Sequence, residues 1–169
     1  MAHWTFRLLR HRSFDERDAK RVLSKDALAR IEARVAASEQ RHSGEIRVAV
    51  EAGLPLSYLR RHASARDRAV AMFGKLNVWD TEHNNGVLIY LLLAEHAIEI
   101  VADRGLNEHV DAAEWAAVAE SMKGAFQGGD FEGGLLRAVD AVDALLVRHF
   151  PAQPGGRGVN ELPDAPYVR

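Results

Sequence analysis

The chain has 169 residues, with 22 Lys and Arg against 24 Asp and Glu, and no cysteine. That length suits one domain with a core that needs no disulfide or structural metal, and the missing thiols exclude thiolate zinc sites, iron–sulfur clusters and cysteine nucleophiles. A net charge of -2 provides no field for nucleic acid or acidic substrates, so no nucleic-acid partner is expected.

The chain opens MAHWTFRLLRHR, with Trp4, Phe6, Leu8 and Leu9 set among Arg7, Arg10 and Arg12. It lacks the apolar stretch and cleavage site of a secretory signal, and no run of about 18 apolar residues follows that would span a membrane. Residues 1–14 read as an N-terminal arm, either a strap packed on the domain or a short interfacial anchor. The expected location is the cytoplasm, peripheral to the inner membrane if the arm meets lipid.

Ser24 can cap a helix with Asp26 in its first turn. Leu28, Ile31 and Val35 then recur at helical spacing, and Gly44 ends the pattern. Residues 45–51 alternate: Ile46, Val48 and Val50 share one face, and Glu45, Arg47 and Glu51 the other, as in a half-buried strand. Pro55 and Ser57 open a second helix, kept in register by Leu59, Ala63, Val70 and Phe73. A polar loop spans 77–86. Val87 to Ala94 is apolar throughout, the pattern of a central strand covered on both faces. A turn at Glu95-His96 leads into a third strand, 97–103. Trp115, Val118, Met122 and Phe126 mark a third helix. Gly128-Gly129-Asp130 breaks it, and Leu135, Ala138, Val142 and Leu145 mark a fourth. The stretch 152–169 is rich in Pro and Gly and reads as a disordered tail.

Helix, strand, helix, strand, strand, helix, helix gives an α/β fold over 15–151. It is a three-layer α/β/α sandwich with a small mixed sheet and helices on both faces. In that topology Glu45, Gly86 and Asp103 fall at one sheet edge, beside the loop 77–85. Glu45, Asp80, Glu82, Asn84, Asn85, Asp103 and Glu108 are then expected on one rim. Oxygen ligands of this kind suit Ca2+ or Mg2+. The competing expectation is a rim of solvated loop residues. The stretch from Asp80 to Gly86 is not an EF-hand, because the glycine falls one place late and Leu91 stands where a bidentate Glu belongs.

The glycine-rich loop from Gly128 to Gly134 lacks the Gly-Lys-Ser/Thr ending of a phosphate loop. It reads as a helix–helix connection with Asp130 as cap. His42 is expected as a hydrogen-bonded histidine at a helix end, with a ligand or acid/base group as the alternative, and no serine lies in a G-x-S-x-G elbow. Arg60, Arg61, Arg66 and Arg68 make the second helix basic, as a solvated face or a patch for a partner.

The segment Ser38-Glu39-Gln-Arg-His42-Ser-Gly44-Glu45-Ile46-Arg47-Val-Ala-Val-Glu51 resembles the first helix and strand of the TPM domain family. Asn85-Gly86-Val87-Leu88-Ile89-Tyr90 resembles its central strand, and Ile98 to Gly105 its third strand and exit. Trp115, Met122, Phe126, Gly129 and Phe131 fit the helix and loop that follow, and His149-Phe150-Pro151 fits the end. The resemblance is to the short bacterial form and covers about 15–151. It implies the α/β/α sandwich and a mostly membrane-linked family in which some members bind Ca2+ at acidic loops. It also implies acid phosphatase activity in the plant branch and bacterial partnership with LemA-like membrane proteins. The long form's Gly-Tyr-Gly-Leu-Glu signature is here Asp103-Arg104-Gly105-Leu106-Asn107, with one acidic group fewer.

The expected metal ligands are therefore Glu45, Asp80, Glu82 and Asp103, supported by Asn85, Gly86, Arg104, Trp115 and His42. The cofactor expected is Ca2+ or Mg2+, with no organic cofactor and no catalytic residue assigned. The functional expectation is a non-catalytic binding or accessory domain with a protein partner, and the alternative is a divalent-metal phosphohydrolase.

Overall fold

The all-apolar run from Val87 lies inside a four-stranded sheet whose strands stand in the order 97–102, 86–92, 45–51, 167–168. The computed structural model describes residues 2–14, 16–152 and 159–169. Its elements are α1 (Ala2–Ser13), α2 (Glu16–Val22), α3 (Lys25–Ser38), β1 (Glu45–Glu51), α4 (Leu56–Arg60), α5 (Ala65–Lys75) and β2 (Gly86–Leu92), then β3 (Ala97–Ala102), α6 (Arg104–Asn107), α7 (Ala112–Gln127), α8 (Phe131–His149) and β4 (Tyr167–Val168). β1 runs parallel to β2, and β2 antiparallel to β3. The turn between β2 and β3 is a 3-10 turn at Leu93–Glu95 that ends on left-handed His96.

Strand alternation sorts the core into two layers. Ile46, Val48, Val50, Ile89 and Leu91 pack with Ile31 of α3 and Leu135 of α8. Ala49, Leu88, Tyr90 and Leu92 pack on the other side with Ala69 and Met72 of α5. Each Val, Leu, Ile or Met side chain among them contributes about 1.5–3 kcal/mol of burial. Caps set the helix starts: Ser24 accepts the Ala27 amide, and Asp130 accepts the Gly133 amide. The three-layer sandwich is the fold found.

β1 departs from the half-buried expectation, since all seven of its positions are buried. Its polar face is covered because each charge has a partner. Glu51 takes a two-pronged ion pair from Arg68 at 2.6 and 2.7 Å and accepts the Tyr90 hydroxyl at 2.8 Å. Burial and the Glu51 charge push the Tyr90 phenol up, and the bond to Glu51 pushes Arg68 up. Arg47 donates to the carbonyls of Pro163 and Ala165. Arg68 is therefore not part of a solvated basic face.

The expected second helix is two helices. His62 takes a left-handed φ of 54°, and Ser64 restarts the chain with a capping box closed by Asp67. The register shifts with the break: Ala65, Arg68, Ala69 and Met72 face inward, and Val70 is 51% exposed.

The tail expectation fails for 159–169. β4 pairs in parallel with β1, the Arg169 amide donates to Val50, and the Ala52 amide donates to Arg169. Leu162 is buried in the second core layer. The rest of the expected tail, 153–158, lies outside the described residues.

The N-terminal arm is a helical strap. Arg7 donates to Glu95 at 2.8 Å and to the Ala63 carbonyl at 2.7 Å. His11 Nδ1 accepts the Leu54 amide, so its Nε2 carries the proton shared with Glu95 at 2.8 Å. Phe6 and Leu9 face outward, 69% and 67% exposed.

Candidate functional site

Four buried side-chain atoms have no hydrogen-bond partner among the described residues: Asn85 Oδ1, Asp103 Oδ2, Trp115 Nε1 and His149 Nε2. They come from segments that meet at one end of the domain. Asn85 immediately precedes β2 and Asp103 immediately follows β3, and the Asp103 amide donates to the Gly86 carbonyl at 2.9 Å. Two residues further on each side, the Gly105 amide donates to Asn84 at 2.9 Å. The Arg104 guanidinium also holds Asn84 Oδ1, at 3.1 and 3.2 Å. Asn85 Nδ2 donates to Ser43 Oγ at 3.3 Å, and the Ser43 amide donates to Phe150, next to His149. The His149 ring stacks on His109 at 5.2 Å. Arg148 reaches Glu114, the neighbour of Trp115, at 3.6 Å.

Local backbone chemistry explains the arrangement. Asn84 takes φ 50°, a left-handed conformation Asn tolerates. Gly86 itself is not left-handed. It is required because a Cβ there would run into the Val78 carbonyl. The loop before it is tied by Thr81, whose hydroxyl accepts the Asn85 amide at 3.1 Å. Asp103 uses Oδ1 to cap α6 through the Arg104 amide at 2.7 Å, which leaves Oδ2 free. Desolvation, Arg148 and the facing His109 hold the His149 imidazole below its ordinary value.

An unpaired buried polar group costs about 1–3 kcal/mol. Two acceptor oxygens without donors favour a hard cation. Asn85 and Asp103 each keep one such buried oxygen. Among the described residues no three of His, Asp and Glu form a metal-holding group. Glu45 is 2% exposed and accepts the Leu162 amide. Asp80 lines a separate hollow of about 330 Å3 with Arg47, Asn77 and Glu161. Glu82 is exposed, its amide bound to the Glu161 carboxylate at 3.0 Å.

His42 has no exposed surface. Its Nδ1 lies 3.0 Å from the Gly44 carbonyl and its Nε2 2.9 Å from Ser38 Oγ, which donates to Asp143. The trio holds the residue types of a serine hydrolase, but serine stands in the middle, and Ser38 and Asp143 are 4% and 6% exposed. It ties α3 to α8. Sequence reasoning missed Trp115 and His149 as unpaired groups, because only the folded helices bring them to the ends of β2 and β3.

A mixed sheet between two helical layers, with an Asn-Gly entry to the central strand and an Asp exit from its antiparallel neighbour, defines a TPM-type α/β/α domain. The sequence matches the TPM domain model over residues 17–145, and the chain belongs to that family. It is similar to the BA42 protein of the psychrophilic bacterium Bizionia argentinensis, solved by NMR, with 27% identity and a TM-score of 0.74 over 86% of this chain and 94% of that one. The N-terminal domain of a P. gingivalis protein shares the fold at 20% identity and a TM-score of 0.61, over 79% of this chain and 83% of that one. No curated protein matches the sequence.

Proposed function

We propose that the chain is a non-catalytic TPM-type accessory domain. In this reading it takes Ca2+ or Mg2+ at Asn85 and Asp103 and serves a membrane-associated protein partner of the LemA-like kind, at the cytoplasmic side of the membrane. The observation that carries the reading is the pair of buried, donorless oxygens at the meeting of β2 and β3. When bound, the ion supplies charge neutralisation for Asp103. The protein's part is to hold the two oxygens: Arg104 locks Asn84, Ser43 holds the Asn85 amide group, and Asp103 is fixed by its own cap.

One feature supports an accessory role over turnover: Ser38, His42 and Asp143 are buried away from any substrate. Among the described residues no helix is long and apolar enough to cross a membrane. Contact with a bilayer would run through the partner or through Phe6 and Leu9 of the strap.

A calcium titration followed by NMR, run beside an assay on a generic aryl phosphate ester, tests this reading. Saturable shifts at Asn85, Gly86 and Asp103 without hydrolysis are expected. Hydrolysis abolished by Asp103→Ala would establish the phosphohydrolase alternative instead.

A further inference from the structure

We infer that the outer face of the strap helix α1, with the exposed face of α4 beside it, docks the domain on an anionic phospholipid bilayer. This deepens the accessory reading by committing it to a direct lipid contact, and it uses neither the cation nor the protein partner.

Hydrogen bonds fix which way α1 faces. Arg7 is held by Glu95 and the Ala63 carbonyl, and His11 by Glu95 and the Leu54 amide. His11 is buried, and Leu8 packs on the core layer that contains Leu54 and Leu59. At about 100° per residue, a helix that turns Arg7, Leu8 and His11 inward turns Phe6 and Leu9 directly outward. Arg10 and Arg12 then stand on the two flanks of that apolar line. The exposures agree, since Phe6, Leu9, Arg10 and Arg12 are all exposed. α4 lies beside this stretch, because Leu54 and Ala63, which meet His11 and Arg7, flank it in the chain. It adds Leu56, 43% exposed, and the exposed Arg60 one turn later on the same helix face.

Charge selects the occupant. α1 holds no acidic residue, and neither does the stretch 54–63. Among the described residues no carboxylate pairs with Arg10, Arg12 or Arg60. The whole chain carries a net charge of -2, so the positive sign belongs to this face and not to the protein at large. An apolar line edged by arginines is the pattern of an interfacial helix: the Phe and Leu side chains enter the acyl boundary while the guanidinium groups stay at the level of the phosphates. Charges of one sign favour anionic lipid over neutral lipid. A protein partner fits less well. An ordinary interface takes roughly 800 Å2 from each side and keeps charge out of its centre. Here three apolar side chains stand on the outer surfaces of two helices, among arginines. The contact also orients the domain. Glu95, which anchors α1, lies beyond the end of β2, and Asn85 precedes its start, with roughly 20 Å of strand between them. The end that carries Asn85 and Asp103 is then turned away from the lipid.

The probe is a set of sedimentable vesicles, one of phosphatidylcholine alone and one with roughly a third phosphatidylglycerol, mixed with the full chain in chelator. The chain is expected to sediment with the anionic vesicles only, and to weaken several-fold as salt is raised. Phe6→Ser with Leu9→Ser should lower the affinity roughly tenfold or more, and so should Arg10→Glu with Arg12→Glu. These positions are exposed, and circular dichroism checks that each variant is folded. Trp79→Ser removes an exposed aromatic at the Asn85 end, 52% exposed, and should change nothing. No binding to either vesicle would overturn the proposal and leave this face to a protein. Equal binding to neutral vesicles, indifference to both double variants, or loss on Trp79→Ser instead would overturn it as well. None of these failures touches cation binding at Asn85 and Asp103, which its own titration reads.

Discussion

Asn85 and Asp103 bracket one main-chain hydrogen bond: Gly86, next to Asn85, accepts the Asp103 amide at 2.9 Å, and each of the two side chains keeps a buried oxygen without a donor. Replacing Asn85 by Asp puts a second carboxylate beside the first. Without divalent cation, Asn85→Asp should lower stability by roughly 1–3 kcal/mol through like-charge repulsion and desolvation. Added calcium should restore it, because ligands that bind only the folded state stabilise it. Thermal unfolding with and without calcium reads both effects. A variant as stable as the parent in chelator, and indifferent to calcium, would mean the two oxygens do not face a common space.

The buried pair of Glu51 and Arg68 predicts an asymmetry. Arg68→Ala leaves Glu51 buried with only the Tyr90 hydroxyl, and urea unfolding should show a loss of about 3–5 kcal/mol. Replacing both partners, Glu51→Leu with Arg68→Met, should recover most of that loss. If the double replacement is no better than Arg68→Ala, the pair contributes net stability beyond satisfying its own charges.

The C-terminal segment packs as part of the core. Leu162→Ala should cost about 2 kcal/mol and speed hydrogen exchange at the Ala52 amide, which donates to Arg169. A neutral substitution with unchanged exchange would separate 159–169 from the folding unit.

The strap helix is held by a carboxylate with a depressed pKa. The hydrogen bond from His11, aided by Arg7, brings Glu95 from 4.5 to about 2. A depressed carboxylate stabilises the fold above its unfolded value and loses that contribution as pH falls through the folded value. The strap should therefore loosen between about pH 4.5 and pH 2, seen as faster exchange of the Leu54 amide that donates to His11 Nδ1. Glu95→Gln should remove the pH dependence in that window, and an unchanged profile would count against this assignment.

Much of the fold was legible from local pattern. The run from Val87 to Ala94 announced a doubly covered strand, found over Gly86–Leu92, Ser24 and Asp130 announced helix starts, and the turn expected at Glu95-His96 begins two residues earlier, at Leu93. What was not legible depended on distant partners. Glu45, Arg47 and Glu51 look like a solvated face until the tail and Arg68 are in place. Two parallel-paired residues, Tyr167 and Val168, are too few to announce a strand in a Pro/Gly-rich stretch. The start of β2 beside Asn85 and the end of β3 beside Asp103 lie together, as the strand directions imply. Topology alone did not reveal that Glu45 turns to Leu162, or that Asp80 and Glu82 face a different hollow and solvent. Sheet polarity fixes which end a residue occupies, whereas side-chain partners fix what it can do.

The central claim, that Asn85 and Asp103 hold a divalent cation, is tested most directly by a calcium titration of the labelled chain followed residue by residue in NMR spectra. The account predicts saturable shifts at Asn85, Gly86, Asp103 and Arg104 that vanish in Asp103→Ala. The absence of saturable shifts at millimolar calcium, or shifts confined to Asp80, Glu82 and Glu161, would contradict it.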